Sequence, residues 1–129
     1  MIKDKIKALC LQNKEGFSVD FKTLKPIKKG YIIALTDISY KNLNYSIKRV
    51  LDVSLGFKQI KEELVLGGWF DSENKRYCLD LGLCVENKEK ALYLSRLFNQ
   101  MSIFNLNNFK EIKNPYFKNC KGVKKHNEI

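Results

Sequence analysis

The residues able to do chemistry in this 129-residue chain are few and scattered. Its four cysteines, Cys10, Cys78, Cys84 and Cys120, equal the number of thiolates in a structural zinc site. None has the two-residue spacing with which one knuckle presents two sulfurs to one ion. Cys78 and Cys84 fall on one face of a strand, about 20 Å apart in extended chain, too far to share an ion. They are expected to be buried or half-buried thiols. The single histidine, His126, lies in a lysine-rich terminal stretch without a fixed partner, a poor general base for a Cys or Ser nucleophile. Carboxylates sharing a metal can cut phosphodiesters, and here such a nuclease would use Asp71, Asp80 and Glu86. Asp80 is followed by Leu81-Gly82-Leu83 and no Glu-x-Lys strand. Glu86-Asn87-Lys88 reads as a helix start. Turn formation and helix capping account for these acids at lower cost. The pattern predicts a protein without catalytic machinery, metal or cofactor.

Gly67-Gly68 is the one glycine pair, but no Lys-Ser or helix start follows it to make a phosphate cradle. Inside a strand-like run it predicts a bulge or a close backbone approach, with Trp69 lying flat against a helix. Aromatics are plentiful: Tyr31, Tyr40, Tyr45, Trp69, Phe70, Tyr77, Tyr93, Tyr116 and Phe117 exceed what one core can hide. A sheet face carrying aromatics between basic rims can stack single-stranded bases, although no ribonucleoprotein-type aromatic motif is present.

The net charge is +10, drawn from 24 Lys and Arg against 14 Asp and Glu. Arginine contributes only Arg49, Arg76 and Arg96, and the chain is rich in Asn and Ile, as AT-rich coding sequence gives. Lysine excess of that origin is a weaker sign of phosphate recognition than arginine, whose fork grips phosphate and guanine in two places. The charge sits at the ends: residues 1–30 and 113–129 are basic, and residues 31–112 are nearly neutral. Such ends can meet phosphate backbones or acidic protein surfaces through Lys25, Lys28, Lys29, Lys121, Lys124 and Lys125, and can equally be solubilising.

The elements that must position these residues follow from periodicity. Ile2, Ile6, Leu9 and Cys10 form one helical stripe that Gly16 stops. Phe17, Val19 and Phe21 alternate with polar residues, and Tyr31 to Leu35 is an apolar run. Residues 17–35 therefore form a β-hairpin or two strands joined by a longer loop. Ser39 or Asn42 caps a helix with Leu43, Ile47, Val50, Leu51 and Ser54 on one face, ending near Gly56. Residues 57–63 are a polar connection or one further helical turn. Leu64–Phe70 is strand-like, Asp71–Lys75 is a polar turn, and Tyr77, Leu79, Leu81, Leu83 and Val85 give the clearest strand alternation in the chain. Asn87 caps a helix bearing Ala91, Leu94, Leu97, Phe98 and Met101. Residues 102–106 and 109–112 read as a strand or strand pair. Strands and helices without strict βαβ alternation predict an α+β domain over residues 1–112. Its antiparallel sheet carries two to three helices on one face, and residues 113–129 form a basic tail. No run approaches the roughly 20 apolar residues of a membrane helix, and MIKDKIKALCLQNK lacks a signal-peptide apolar region. The expected setting is the cytosol, of a cell or of the host of a virus.

Leu66-Gly67-Gly68-Trp69-Phe70-Asp71, then Tyr77-x-Leu79-Asp80, then Phe98-Asn99-Gln100-x-x-Ile103-Phe104-Asn105-Leu106 resembles small proteins of phages and other mobile elements. In those a Gly-Gly-Trp hairpin and a Tyr-x-Leu-Asp strand precede a helix and an Ile-Phe-Asn-Leu strand. The resemblance covers about 40 of the 129 residues and carries no chemistry. It implies a cytosolic protein that modulates host machinery, such as an inhibitor of CRISPR immunity.

A basic chain is a poor mimic of DNA, so such an inhibitor would grip guide RNA, DNA or an acidic protein patch. The expectation is a non-enzymatic protein docking on a host protein or ribonucleoprotein, with Trp69, Phe70 and Tyr77 as aromatic anchors. A small single-stranded nucleic-acid-binding protein is the alternative, and a metal-dependent nuclease the third.

Overall fold

The longest strand organises the molecule. Tyr77 to Val85 alternates without interruption, and Arg76–Val85 is one continuous strand at the centre of the sheet. The computed structural model describes residues 1–60, 64–97, 102–108 and 110–115. In chain order these form α1 (Ile2–Gln12), β1 (Phe17–Asp20), β2 (Tyr31–Ala34), β3 (Ile38–Tyr40), α2 (Leu43–Ser54), a 3-10 helix (Leu55–Ile60), β4 (Leu64–Asp71), β5 (Arg76–Val85), α3 (Lys88–Leu97), β6 (Ser102–Asn105) and β7 (Lys110–Lys113). The strands make one antiparallel sheet in the order β1-β4-β5-β2-β6-β7, with β3 also paired to β5. The fold is α+β, as the mixed periodicities predict.

All three α-helices lie on one face. Leu64, Leu66, Leu79, Leu81, Val19 and Ile38 meet Ile6 and Cys10 of α1 and Ile47 and Val50 of α2 in one buried cluster. Ile33, Leu83, Val85 and Ile103 meet Ala91 of α3 in a second. This is period-two burial: odd positions of β5 face the helices and even positions face away. Asn42 caps α2 by accepting from the Tyr45 N–H at 2.9 Å, and Asn87 caps α3 by accepting from Lys90 N–H at 3.0 Å. The Asp71–Lys75 turn is closed by Asp71, whose carboxylate accepts from the N–H groups of Glu73 and Asn74.

Of the two forms expected for residues 17–35, the structure has two strands joined by a longer loop: β1 pairs with β4 and β2 with β5, on opposite sides of the central hairpin. Three local expectations need correction. No bulge interrupts Gly67-Gly68, because β4 and β5 keep one register from Leu64↔Leu83 to Asp71↔Arg76. The bulge lies on the other side of β5. Ala34 faces Gly82 and Ile38 faces Leu79, so Leu35, Thr36 and Asp37 oppose only Leu81 and Asp80. Leu35 N–H and Thr36 N–H both reach the Leu81 carbonyl, and Thr36 Oγ1 accepts from Leu81 N–H at 3.1 Å. Trp69 lies against no helix, since its odd position in β4 puts it on the helix-free face, 49% exposed. In α3, Leu97 is exposed, and the small residues Ala91 and Ser95 are the ones buried, which lets the helix sit close to the sheet. Phe98, Met101 and Phe109 lie outside the described residues.

The chain continues past β7 in place: Asn114 is buried and its Nδ2 donates to the Ser95 carbonyl at 3.3 Å. The basic tail expected from 113 onward lies outside the described residues from Tyr116 on. Among the described residues no helix is long and apolar enough to cross a membrane.

Candidate functional site

The helix-free face of the sheet is concave because its middle rows lack bulk. Two adjacent rows run Ser18–Gly67–Asp80 and Val65–Gly82–Ala34 across the central strands. Side chains of full size resume on either side: Trp69 on β4, Ile32 on β2 and Phe104 on β6, with Ile27 of the β1–β2 loop as a further wall. The result is an open groove of about 710 Å³. It runs obliquely over the strands from Glu15, Gly16 and Trp69 at one end to Phe104, Leu106 and Glu111 at the other.

The glycines are required by close approach. A β-carbon at Gly67 would stand 2.6 Å from Asp80 Oδ1, and one at Gly82 would stand 2.7 Å from the Ile33 carbonyl oxygen. On the opposite face a β-carbon at Gly68 would stand 2.6 Å from the Phe17 ring. The Gly-Gly pair therefore serves two surfaces: Gly68 admits Phe17 to the core side, and Gly67 admits Asp80 to the groove floor.

Among the described residues, the charged side chains lining the groove are Glu15, Asp80 and Glu111, all acidic, in a protein of net charge +10. Asp80 is the least exposed of the three. Burial, with a smaller contribution from the Asp37 carboxylate, pushes its pKa up to about 6. Trp69 and Asp80 are diagonal neighbours on this face, since Trp69 pairs with Cys78 and Gly67 with Asp80. An exposed indole beside a desolvated carboxylate can hold a cation, through the ring face and by charge.

The expected anchors are not brought together. Trp69 stands on the groove side. Phe70 and Tyr77 stand on the helix side, directly paired, with ring centroids 4.7 Å apart. Tyr77 packs against the core, and Lys14 Nζ lies 5.2 Å from the Phe70 ring centroid. Lys25, Lys28 and Lys29 are exposed on the β1–β2 loop. The loop is tied at two points: Ile27 N–H donates to Ser18 O, and Gly30 N–H donates to Asn107 Oδ1 at 3.3 Å. Lys121, Lys124 and Lys125, with Cys120, Tyr116, Phe117 and His126, lie outside the described residues.

The three nuclease candidates are strung along the hairpin. Asp71 is at its turn, Asp80 mid-strand and Glu86 past the end of β5. Asp71 is engaged by Asn74, whose side-chain and backbone hydrogen bonds lower its pKa. Among the described residues no three of His, Cys, Asp and Glu are placed to hold a metal ion. Cys10 and Cys78 are buried and Cys84 is half-buried, all as thiols.

Compared with known proteins, the chain matches no protein-family model, no curated protein and no solved structure. The function must therefore be argued from the groove itself. Sequence reasoning missed Glu15, Ile32, Phe104 and Glu111 as its lining. The signal was present in part: Ala34 and Gly82 are small residues at facing positions, but their pairing requires knowing that β2 lies beside β5.

Proposed function

We propose that this protein is a non-enzymatic binding module that docks a macromolecular partner on the helix-free face of its sheet. The observation that carries this reading is the groove ending on Trp69, the sole tryptophan of the chain, held 49% exposed on a rigid central hairpin. Exposed tryptophan beside an apolar concavity is the composition of a binding hot spot. The acidic lining favours a protein surface over a phosphate backbone, which like charge would repel. The resemblance to proteins of phages and mobile elements supports a host protein or ribonucleoprotein as the partner, with inhibition of bacterial immunity as the outcome.

A second reading rests on the exposed lysines of the β1–β2 loop at the groove margin. Lys25, Lys28 and Lys29 could hold single-stranded nucleic acid against Phe104. One experiment separates the two. The tagged protein and a Trp69→Ala variant are used to capture partners from host lysate, with and without nuclease. A specific protein retained by the wild type after nuclease treatment and lost from Trp69→Ala supports the docking module. Capture that disappears with nuclease and follows Lys25, Lys28 and Lys29 supports nucleic-acid binding. Equal capture by both proteins rejects the role of the groove.

A further inference from the structure

The groove has a sign opposite to that of the protein around it, and this restricts what it can take. Asp80 is the diagonal neighbour of Trp69 on this face, Glu15 lines the same groove, and the adjacent row from Gly82 to Ala34 carries no charge. An acidic segment would face carboxylates at both the Trp69 end and the middle. An uncharged apolar segment would leave Asp80 desolvated and without a counter-charge.

Resting on the docking reading, we propose that the groove receives an extended segment of a protein partner and that a lysine or arginine of that segment sits between the Trp69 ring and the Asp80 carboxylate. The ring face and the carboxylate act on the same cation from two sides. Glu15 adds charge at the mouth. The aliphatic neighbours of the inserted residue lie along Ile32 and Phe104, as alternate side chains of an extended peptide do on a sheet face. Because the protein as a whole repels cations, selectivity for such a segment is a property of this groove and of no general surface charge.

Trp69 reports on its own site, because it is the only tryptophan. The probe is the tryptophan-free hexapeptide Ile-Ser-Lys-Ser-Val-Ser, acetylated and amidated, titrated into the full chain while Trp69 emission is followed; its Ile, Lys and Val share one face when extended. Its Ile-Ser-Glu-Ser-Val-Ser counterpart is the control. The expected result is a saturable change with the lysine peptide only, with Asp80→Asn weakening it at least fivefold and Glu15→Gln weakening it less. Asp80→Asn removes the charge while keeping shape, so circular dichroism of the variant confirms that it is folded. The chain carries its own lysines at 118, 121, 124 and 125. If these occupied the groove, replacing all four with Ser would raise peptide affinity tenfold or more, and that overturns the proposal; unchanged affinity supports it. Response to both peptides alike, or no effect of Asp80→Asn, also overturns it. Should a partner be captured through Trp69 while Asp80→Asn and Glu15→Gln leave capture intact, the docking module stands and the cation pocket falls.

Discussion

Asp80 lies across the bare backbone of Gly67. A β-carbon at residue 67 would stand 2.6 Å from Asp80 Oδ1 and 3.3 Å from its carboxyl carbon. The two residues pair directly across β4 and β5, so the contact is fixed by the sheet register. It explains in one stroke why the strand tolerates a glycine and why a carboxylate is withdrawn from water.

Replacing Gly67 or Gly82 by Ala separates a movable obstacle from a fixed one. At Gly82 the new methyl meets the Ile33 carbonyl oxygen at 2.7 Å and Ile32 Cγ2 at 3.3 Å, so backbone must shift. Gly82→Ala is expected to cost about 2–3 kcal/mol of stability. At Gly67 the obstacle is a carboxylate that can rotate, so Gly67→Ala costs about 1 kcal/mol or less. In an Asp80→Ala background the same change should stabilise by about 0.5–1 kcal/mol, because a strand glycine carries an entropy cost. Urea midpoints of the four variants check the order.

Stability should fall as Asp80 ionises. Its pKa is about 6 in the fold against 3.8 for the free side chain, raised by burial and then by Asp37. The favoured form in the fold is therefore neutral. That contribution is complete below about pH 4 and is lost as pH rises through about 6, a change on the order of 2–3 kcal/mol. Asp80→Asn cannot ionise, so it should exceed the wild type in stability near pH 8 by about this amount and lose that advantage near pH 4. Denaturant unfolding at the two pH values decides it: a difference independent of pH would show that Asp80 is solvated.

Much of the fold was legible because it depends on local pattern. The β5 alternation, the Asn42 and Asn87 caps and the Asp71 turn are each set by residues close in sequence, and each is present. What escaped depends on which strands meet. Gly67-Gly68 signals close approach, but whether by bulge or by cross-strand side chains is decided by Asp80 and Phe17, far away in the chain. The groove was invisible for the same reason. It needs β2 and β6 beside β5, and nothing local in Ile32 or Phe104 says so. Trp69, Phe70 and Tyr77 looked like one patch because they are close in sequence, yet the pleat sends Trp69 to the opposite side from the other two.

Ser46 is a polar residue with no exposure at all, on the α2 face toward the sheet. Its Oγ lies 3.2 Å from the Tyr77 carbonyl and 3.5 Å from the Tyr40 carbonyl, donating where β3 and β5 run side by side. Ser46→Ala removes that donor and leaves buried carbonyl oxygens one partner short, costing about 1–2 kcal/mol. Ser46→Val adds a methyl at a position with no exposure and should cost more, about 2–3 kcal/mol. Thermal unfolding of both variants tests the ranking; a stabilised Ser46→Val would show that the helix has room to move.

Thiol reactivity should follow burial along the chain. Burial raises the Cys10 pKa to about 11, so thiolate, the reactive form, is scarce near neutral pH, and the residue lies within the main buried cluster. Cys78 is buried within the sheet, its Sγ 3.4 Å from Ser39 Oγ. Cys84 is half-buried at the end of β5, with its Sγ donating to the Lys29 carbonyl at 3.5 Å. In a Cys120→Ser background, iodoacetamide near pH 8 should label Cys84 first, and Cys10 and Cys78 only on the timescale of opening of the core. Mass spectrometry of tryptic peptides over a labelling time course measures the order. Because Cys84 faces the same side as Asp80, its alkylation should leave the helix-side core undisturbed, and the labelled protein should unfold at nearly the wild-type midpoint. Early labelling of Cys10 would instead mean that α1 separates from the sheet more readily than its burial indicates.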